Sequence, residues 1–530
     1  MTPRILVVTP LWAPLWALLW ALLLAGCGAS PEPGPKPTSE VQPPLVVSAA
    51  PPRPTVSGPP RLLVLSSLNG YLEPCGCTVD LTLGGIDRTA TVVSNEQSLG
   101  PTVIVVVGPT LFDPHVTDPH LAQQEATKAR TLVDSLRHIG VDAIVPTAGE
   151  LKYGGGVLDA ARGDWTWPDA TVNVPGGRPI VKVVGDATFA FLGFIKPGDV
   201  APGGTGMDPE PAAREALAAI SLQSVSIRVG LSALSRRETR VLARALPEID
   251  LWVLGDRPAE EAELQAVGDT YLVEAGDRGR HLGRLVLHGL STTGRLADPV
   301  GERSRALRRL DGQLRMARDV ASRTNDARAI EKVAALEVER KGVESASPPG
   351  IVKYLDYTLL PIGKGVVPEP ALEAALLAYN LRLKEVNLAS DAPPPPLPEG
   401  GNGYAGGKSC VECHEDAQAV WLTTPHARAW KTLVDGKKSF DAECVSCHVT
   451  GWRAPGGVNL TTAASMGDVQ CEACHGPSAK HVDLGGDEYM TKLRVAEAVC
   501  KTCHNEFHSP KFDFATYLPK VLGKGHTLKN

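Results

Sequence analysis

The feature that most constrains this chain is a five-residue phrase, Cys-x-x-Cys-His, written four times between residues 410 and 504. The copies are Cys410-Val411-Glu412-Cys413-His414, Cys444-Val445-Ser446-Cys447-His448, Cys471-Glu472-Ala473-Cys474-His475 and Cys500-Lys501-Thr502-Cys503-His504. Thiols three positions apart share one side of a helical turn, and an imidazole follows at once. The whole chain holds only 11 Cys and 13 His. Tetrahedral zinc sites use Cys and His but do not require His directly after the second Cys each time. A disulfide framework leaves the four His unexplained. Attachment of a porphyrin accounts for every position: the two thiols form thioethers with vinyl groups on one edge of the ring, and the next His swings beneath it as proximal axial ligand. The expectation is four covalently attached haem c groups, held by Cys410, Cys413, Cys444, Cys447, Cys471, Cys474, Cys500 and Cys503 and ligated by His414, His448, His475 and His504.

The surrounding segment, 404–530, is short of aliphatic side chains and rich in Gly, Thr and charge. Its core would have to come from the apolar faces of the porphyrins, so it is predicted to be unfolded without them. Four further His remain there as candidates for a distal position or as solvent-exposed side chains: His426, His481, His526 and, the weakest because it lies only four residues after His504, His508.

Three phrases carry a resemblance. Trp421-x-x-Thr424-x-His426-Ala427-x-Ala429, Cys471-Glu472-x-Cys474-His475-Gly476-Pro477-x-x-x-His481 and Ser509-Pro510-x-Phe512 resemble the tetrahaem cytochrome c-554 family over about a quarter of the chain. That resemblance implies His426 and His481 as distal ligands, exchanged between haems in a packed stack, with His526 a further candidate. The family typically keeps one iron five-coordinate and open to a small ligand; with four distal candidates here, an open iron and full six-coordination both stand as readings of this chain.

The N-terminus reads as an export signal. Arg4 precedes an apolar run, Ile5 to Ala25, and Leu24-Ala25-Gly26-Cys27 resembles a bacterial lipobox, with residues 1–26 removed and Cys27 lipidated; the alternative is an uncleaved transmembrane anchor. Residues 27–60, rich in Pro, Ser and Gly, make a tether. Either reading puts the rest outside the cytoplasm. The 53 basic and 59 acidic residues, net charge −6, carry no sign of a nucleic-acid partner.

From Arg61 the chain alternates strands and helices. Strands are predicted at 61–67, 103–107, 141–145, 180–184, 188–194, 226–231, 251–254 and 270–273, with an edge or sandwich strand at 282–288 and helices at 86–97 and 121–139. The chain is therefore expected to be multidomain: an α/β layered domain over 61–300, a charged helical segment over 301–389 that opens with one or two amphipathic helices, Asp311-Gly312 being the candidate break between them, a Pro/Gly linker over 390–403, and a mostly helical haem domain, low in regular structure, over 404–530.

The α/β domain resembles the 5'-nucleotidase and metallophosphoesterase superfamily at Leu62 to Gly70, Gly84-Gly85-Ile86-Asp87-Arg88, Val105 to Pro109, Gly140 to Glu150, and Glu274 to Leu285. The resemblance implies two metals held by Asp, His and Asn. Here those positions read Ser67-Leu68-Asn69, Gly108-Pro109, Thr147-Ala148-Gly149-Glu150, Ser232-Ala233 and Gly255-Asp256. Asn69, Glu150 and Asp256 remain as donors, too few for a dinuclear hydrolase, so the domain is read as a scaffold without phosphoesterase activity. Pro74-Cys75-Gly76-Cys77 beside that site resembles a signature in a branch of the superfamily; Cys75 and Cys77 are candidates for a redox or soft-metal site, or a structural pair.

The expected function is electron transfer by a membrane-anchored cytochrome facing the periplasm or cell exterior, its partner a redox protein or a quinol-linked membrane complex. The alternative is an oxidoreductase acting on a small nitrogen or sulfur compound at an open iron or at Cys75 and Cys77.

Overall fold

The computed structural model describes residues 53, 55–74, 83–114, 116, 118–198, 206–220, 224–255, 264–291, 294–346, 353–485, 494–505, 508–509 and 511–526. All of them fall in one compact unit, Leu45–Asn530. No helix among them is long and apolar enough to cross a membrane. Cys27, Cys75, Cys77 and Asp256 lie outside the described residues.

Among the described residues, eleven strands form two sheets. They are β1 (Arg61–Ser66), β2 (Thr102–Val107), β3 (Ala143–Val145), β4 (Ile180–Val184), β5 (Ala187–Phe194), β6 (Ile227–Ser232), β7 (Leu251–Leu254), β8 (Gln265–Val267), β9 (Thr270–Glu274), β10 (His281–His288) and β11 (Tyr354–Pro361). The first sheet runs β11-β10-β1-β2-β3, with β1, β2 and β3 parallel. The second runs β4-β5-β6-β7-β9-β8, parallel from β5 through β9. Period-two alternation explains why β1 and β2 are apolar throughout. Leu62, Val64, Val103 and Val105 face the second sheet, against Phe189, Phe191, Val229 and Val253. Leu63, Leu65, Ile104 and Val106 face helices.

Three helices cover the outer face of the first sheet: α1 (Ile86–Gln97), α2 (Ala122–Ile139) and, far along the chain, a helix at Pro370–Ala389. On α2, Leu132, Val133, Leu136 and Ile139 form the buried stripe, and Gly140 closes the helix at φ 80°. Behind α2 runs α3 (Gly155–Arg162); α4 (Pro209–Ile220) and α5 (Arg236–Ala245) cover the second sheet, whose outer core centres on Trp252 and Phe194. The body is thus four layers, helix–sheet–sheet–helix.

Several sequence expectations need correction. The segment 301–389 is not wholly helical: it also supplies β11, the edge of the first sheet, so β10 is interior and pairs on both sides. Nothing in Tyr354 to Pro361 alternates clearly enough to mark a strand, and Pro361 ends it where an edge tolerates proline. Nor is there a break at Asp311-Gly312. Helix α6 (Pro299–Thr324) runs straight through, because Leu310 and Leu314 bury their side chains and one helical Gly costs only about 1 kcal/mol. The turn into α7 (Ala327–Ser345) falls at Asn325, φ 50°, a conformation Asn tolerates. The helix Pro370–Ala389 is α8, with Leu372, Leu376, Tyr379 and Leu383 packed on the sheet.

At the carboxyl ends of β1, β2 and β7 the two sheets touch. Ser66 Oγ donates to the Leu254 carbonyl at 3.1 Å and Ser67 Oγ to that of Gly255 at 2.7 Å. Gly108, at φ 92°, lies so near Gly255 that a Cβ would stand 2.3 Å from the Gly255 carbonyl oxygen. Both the space and the φ exclude a side chain. Gly108→Ala should therefore lower unfolding free energy by about 2–4 kcal/mol in a denaturant titration; an unchanged midpoint would contradict this close approach.

Candidate haem-binding site

The haem region is built of short helices: α9 (Glu415–Thr423), α10 (Ala429–Asp435), α11 (Ala442–His448), α12 (Cys471–His475), α13 (Ala479–Leu484) and α14 (Glu497–Lys501). Its apolar core is small: Leu433, Val445, Val449, Val458, Leu460 and Ala463. Each Cys-x-x-Cys-His phrase is a single helical turn. The second and third lie within α11 and α12; in the first and fourth, the His N–H donates to the carbonyl of the first Cys, at 3.0 Å for His414 and 2.8 Å for His504. None of these eight Cys is in a disulfide. The thiols of Cys410 and Cys471 are within hydrogen-bonding reach, as are those of Cys447 and Cys503. The first phrase thus lies beside the third and the second beside the fourth, and Cys474 of the third is also an electrostatic neighbour of Cys500 of the fourth.

The histidines pair as well. His414 and His481 have ring centroids 6.3 Å apart, and His426 and His504 6.0 Å. Two imidazoles on opposite sides of one ion, each nitrogen about 2 Å from it, have ring centres roughly 6 Å apart. His526 is an electrostatic neighbour of His475. Nδ1 of both His481 and His526 is buried without a hydrogen-bond partner. The proximal His448 donates from Nδ1 to the Ala429 carbonyl at 2.6 Å, and Nδ1 of His504 is hydrogen-bonded to Ser509 Oγ at 3.0 Å, which leaves Nε2 of each for a metal. The donor set fits haem: paired thiols on one turn, and imidazoles held at the spacing of two axial ligands. A bound haem supplies reversible one-electron chemistry at its iron.

The phrases quoted from the sequence have structural reasons. Trp421 donates from Nε1 to the Val469 carbonyl at 2.8 Å, Thr424 Oγ1 to that of Trp421 at 2.7 Å, and the Val469 N–H to the His426 carbonyl at 3.2 Å. Trp421 and Thr424 thus hold the turn that carries His426. Glu472 is a residue whose role the sequence did not disclose. It is 2 % exposed and its carboxylate accepts from three backbone N–H groups, Ala405 at 2.9 Å, Gly406 at 2.7 Å and Ser478 at 2.8 Å. It ties the turn before Cys410 to the third phrase.

The second phrase is anchored on the α/β body. Gln124 of α2 donates to Asp441 Oδ1 at 2.8 Å, and its own carbonyl oxygen accepts from the Ala442 N–H at 3.0 Å and from Asn387 Nδ2 at 2.7 Å. Lys128 bridges Glu125 at 2.5 Å and Glu443 at 3.2 Å. The Lys128 charge holds the Glu443 carboxyl below its usual range, whereas burial raises that of Glu125. Lys438 pairs with Glu73, immediately before Pro74.

At the sheet edge, Ser67 and Asn69 have φ of 45° and 52°. Glu150 is buried beneath them and accepts from the N–H of Thr110 at 2.7 Å and of Leu111 at 2.9 Å; burial pushes its pKa up to about 7. Each of its oxygens thus accepts one backbone amide and holds the loop after β2. Ser232 Oγ is likewise bonded to Thr239 Oγ1 at 2.7 Å.

Replacing Glu472 by Ala orphans three backbone donors, each costing about 1–3 kcal/mol. The loaded protein should lose several degrees of thermal midpoint, and Glu472→Gln fewer; equal midpoints for all three proteins would refute the role.

Residues 409–476 match the family Cytochrome c554 and c-prime. The chain is 33% identical to cytochrome c-554 of Nitrosomonas europaea over 107 residues, which cover 17% of this chain and 41% of that protein, so the match spans less than half of the relative. Solved structures similar to it include Thermus thermophilus sulfate thiohydrolase SoxB (15% identity, 63% of this chain and 62% of that one, TM-score 0.44). Others are a 5'-nucleotidase precursor, also of Thermus thermophilus (16% identity, 61% and 59%, TM-score 0.40), and the calcineurin-like phosphoesterase YfkN of Bacillus subtilis (12% identity, 62% and 98%, TM-score 0.41). The C-terminal region thus matches the cytochrome c554 family over residues 409–476, and the relative at 33% identity supports a c-type cytochrome there.

Proposed function

We propose that the protein carries electrons outside the cytoplasm through four covalently attached haems, tethered to a membrane by a lipid on Cys27. The observation that carries this reading is the pairing of histidines at 6.0 and 6.3 Å beside thiol pairs on single turns. Imidazole on both sides of an iron leaves no place for substrate, which favours transfer over turnover. The first–third and second–fourth adjacency of thiols supports a close-packed path for charge. The partner is a redox protein or a quinol-linked membrane complex, and the α/β body acts as its scaffold.

Intact mass of the purified protein tests the assembly. The expected mass is that of a chain lacking residues 1–26, carrying lipid on Cys27 and four haems; fewer haems, or a retained leader, would refute that part of the reading. Turnover tests the role: the reduced protein should be reoxidised reversibly at an electrode without sustained catalytic current on nitrite or hydroxylamine, and sustained current would favour an oxidoreductase instead.

The small apolar core of the haem region yields a further expectation. A core cluster of six aliphatic residues among the described residues cannot offset the ordering entropy of a segment this long. A variant with all eight attachment Cys changed to Ala should leave 404–530 open to limited proteolysis while the α/β body stays resistant. Protection of both parts would show that the polypeptide alone suffices.

A further inference from the structure

We propose that Glu125, on the α/β body, takes up a proton when the haem of the second phrase is reduced, so that the body couples electron transfer at that site to proton uptake. The proposal deepens the electron-transfer reading and rests on it.

Glu125 lies in the first turn of α2 and is 0 % exposed. Its Oε1 stands 2.5 Å from Lys128 Nζ, while Oε2 is buried with no hydrogen-bond partner among the described residues. An ionised carboxylate there has surrendered water at one oxygen and received nothing in exchange; a protonated one loses far less. Lys128 is also shared, since its ammonium lies 3.2 Å from Glu443 Oε2. With both carboxylates ionised this group of three carries one net negative charge, and with one proton added it carries none. Uncompensated charge away from water is costly, so such a group responds to any further charge placed beside it.

Glu443 links that group to the haem. It immediately precedes Cys444, the first thiol of the second phrase, and Asp441 accepts from the amides of both at 3.1 and 3.4 Å, which fixes them on the first turn of α11. Gln124, next to Glu125, holds α2 against the same turn. When the redox partner delivers an electron to the haem of this turn, taking its iron from ferric to ferrous, the turn gains one negative charge. Glu125 then accepts a proton from water, forming an O–H bond on its carboxylate, and the local charge is restored. Reoxidation releases both.

Glu125 rather than Glu443 is the acceptor because it is the more deeply enclosed, its side chain 0 % exposed against 25 %. Burial already raises the Glu125 carboxyl above its usual range, whereas the Lys128 charge lowers that of Glu443. The other groups facing Glu125 are Asp441 at the cap of α11, Tyr379 on α8, and Lys152 and Tyr153 in the turn before α3; Glu443 also faces Lys438 and His508. An added electron raises the Glu125 pKa further, so it is higher in the reduced protein than in the oxidised one. Between those two values the midpoint potential of the haem falls as pH rises, and outside them it is flat.

The test uses the full, haem-loaded protein. Midpoint potentials are titrated over a range of pH for the wild type, Glu125→Gln, Glu125→Asp and Glu443→Gln, and redox-difference infrared spectra are recorded in light and heavy water. In the wild type one haem has a window in which its midpoint falls by up to 59 mV per pH unit, the one-electron equivalent of a tenfold change in proton concentration. A protonated-carboxyl band appears on reduction and moves in heavy water. Glu125→Gln loses both signals and Glu125→Asp keeps both. Glu443→Gln moves the window to lower pH, because Lys128 then serves Glu125 alone. A wild-type slope that survives in Glu125→Gln overturns the proposal. So does a window unmoved in Glu443→Gln, which decides the matter where Glu125→Gln fails to fold. Haems that cycle reversibly at potentials independent of pH in the wild type overturn it while leaving the electron carrier intact. Haems that do not cycle reversibly at all strike instead at the electron-transfer reading on which the proposal depends.

Discussion

One carboxamide holds the two halves of this molecule in register. Gln124, 1 % exposed, uses Nε2 on Asp441 and both lone pairs of its carbonyl on Asn387 and the Ala442 amide. A buried polar group in such a place is costly unless satisfied, and a fully satisfied network fixes a single geometry. Asp441 also caps α11, accepting from the Glu443 and Cys444 amides. The helix that carries Cys444, Cys447 and His448 therefore takes its position from α2 and α8 of the α/β body. The Lys128 bridge between Glu125 and Glu443 reinforces it, with two carboxylates offsetting the loss of water around a buried ammonium.

The two halves solve opposite problems. In the body, β1 and β2 are apolar on both faces because a second sheet covers one and helices the other. The haem region has few aliphatic side chains, and hydrogen bonds order it instead: Glu472 gathers three amides, Trp421 and Thr424 brace the turn at His426, and Asp391 caps the amides of Leu460 and Thr461 at 3.1 and 2.7 Å. Such a frame positions donors well but buries little apolar surface, which is why the porphyrins are expected to complete it.

How legible this was depended on the range of each interaction. The strands of the body and helices α1 and α2 announce themselves through local periodicity, and the Cys-x-x-Cys-His turns through local spacing. Other elements were missed, α5 despite the local signal of its Ser235 and Glu238 capping box. β11 exists because β10 offers it an edge, and α3, α4, α5 and β8 pack on surfaces formed by distant residues. The Asp311-Gly312 break failed because burial of Leu310 and Leu314 outweighed the propensity of one glycine. At the sheet edge, Glu150 looked available in the sequence, but in the fold it caps the loop after β2.

The sequence by itself determined the chemistry of the C-terminal region. Thiols at i and i+3 with His at i+4 define an attachment turn wherever the chain puts it, because the spacing is covalent and local. It also named the histidines available as partners. Tertiary structure alone decided which imidazole meets which. His426 pairs with His504, 78 positions of chain away by number, and His481 reaches back to His414, through packing between phrases far apart in the chain. That pairing depends on long-range packing and on the Gln124 junction, neither of which leaves a periodic mark in the chain.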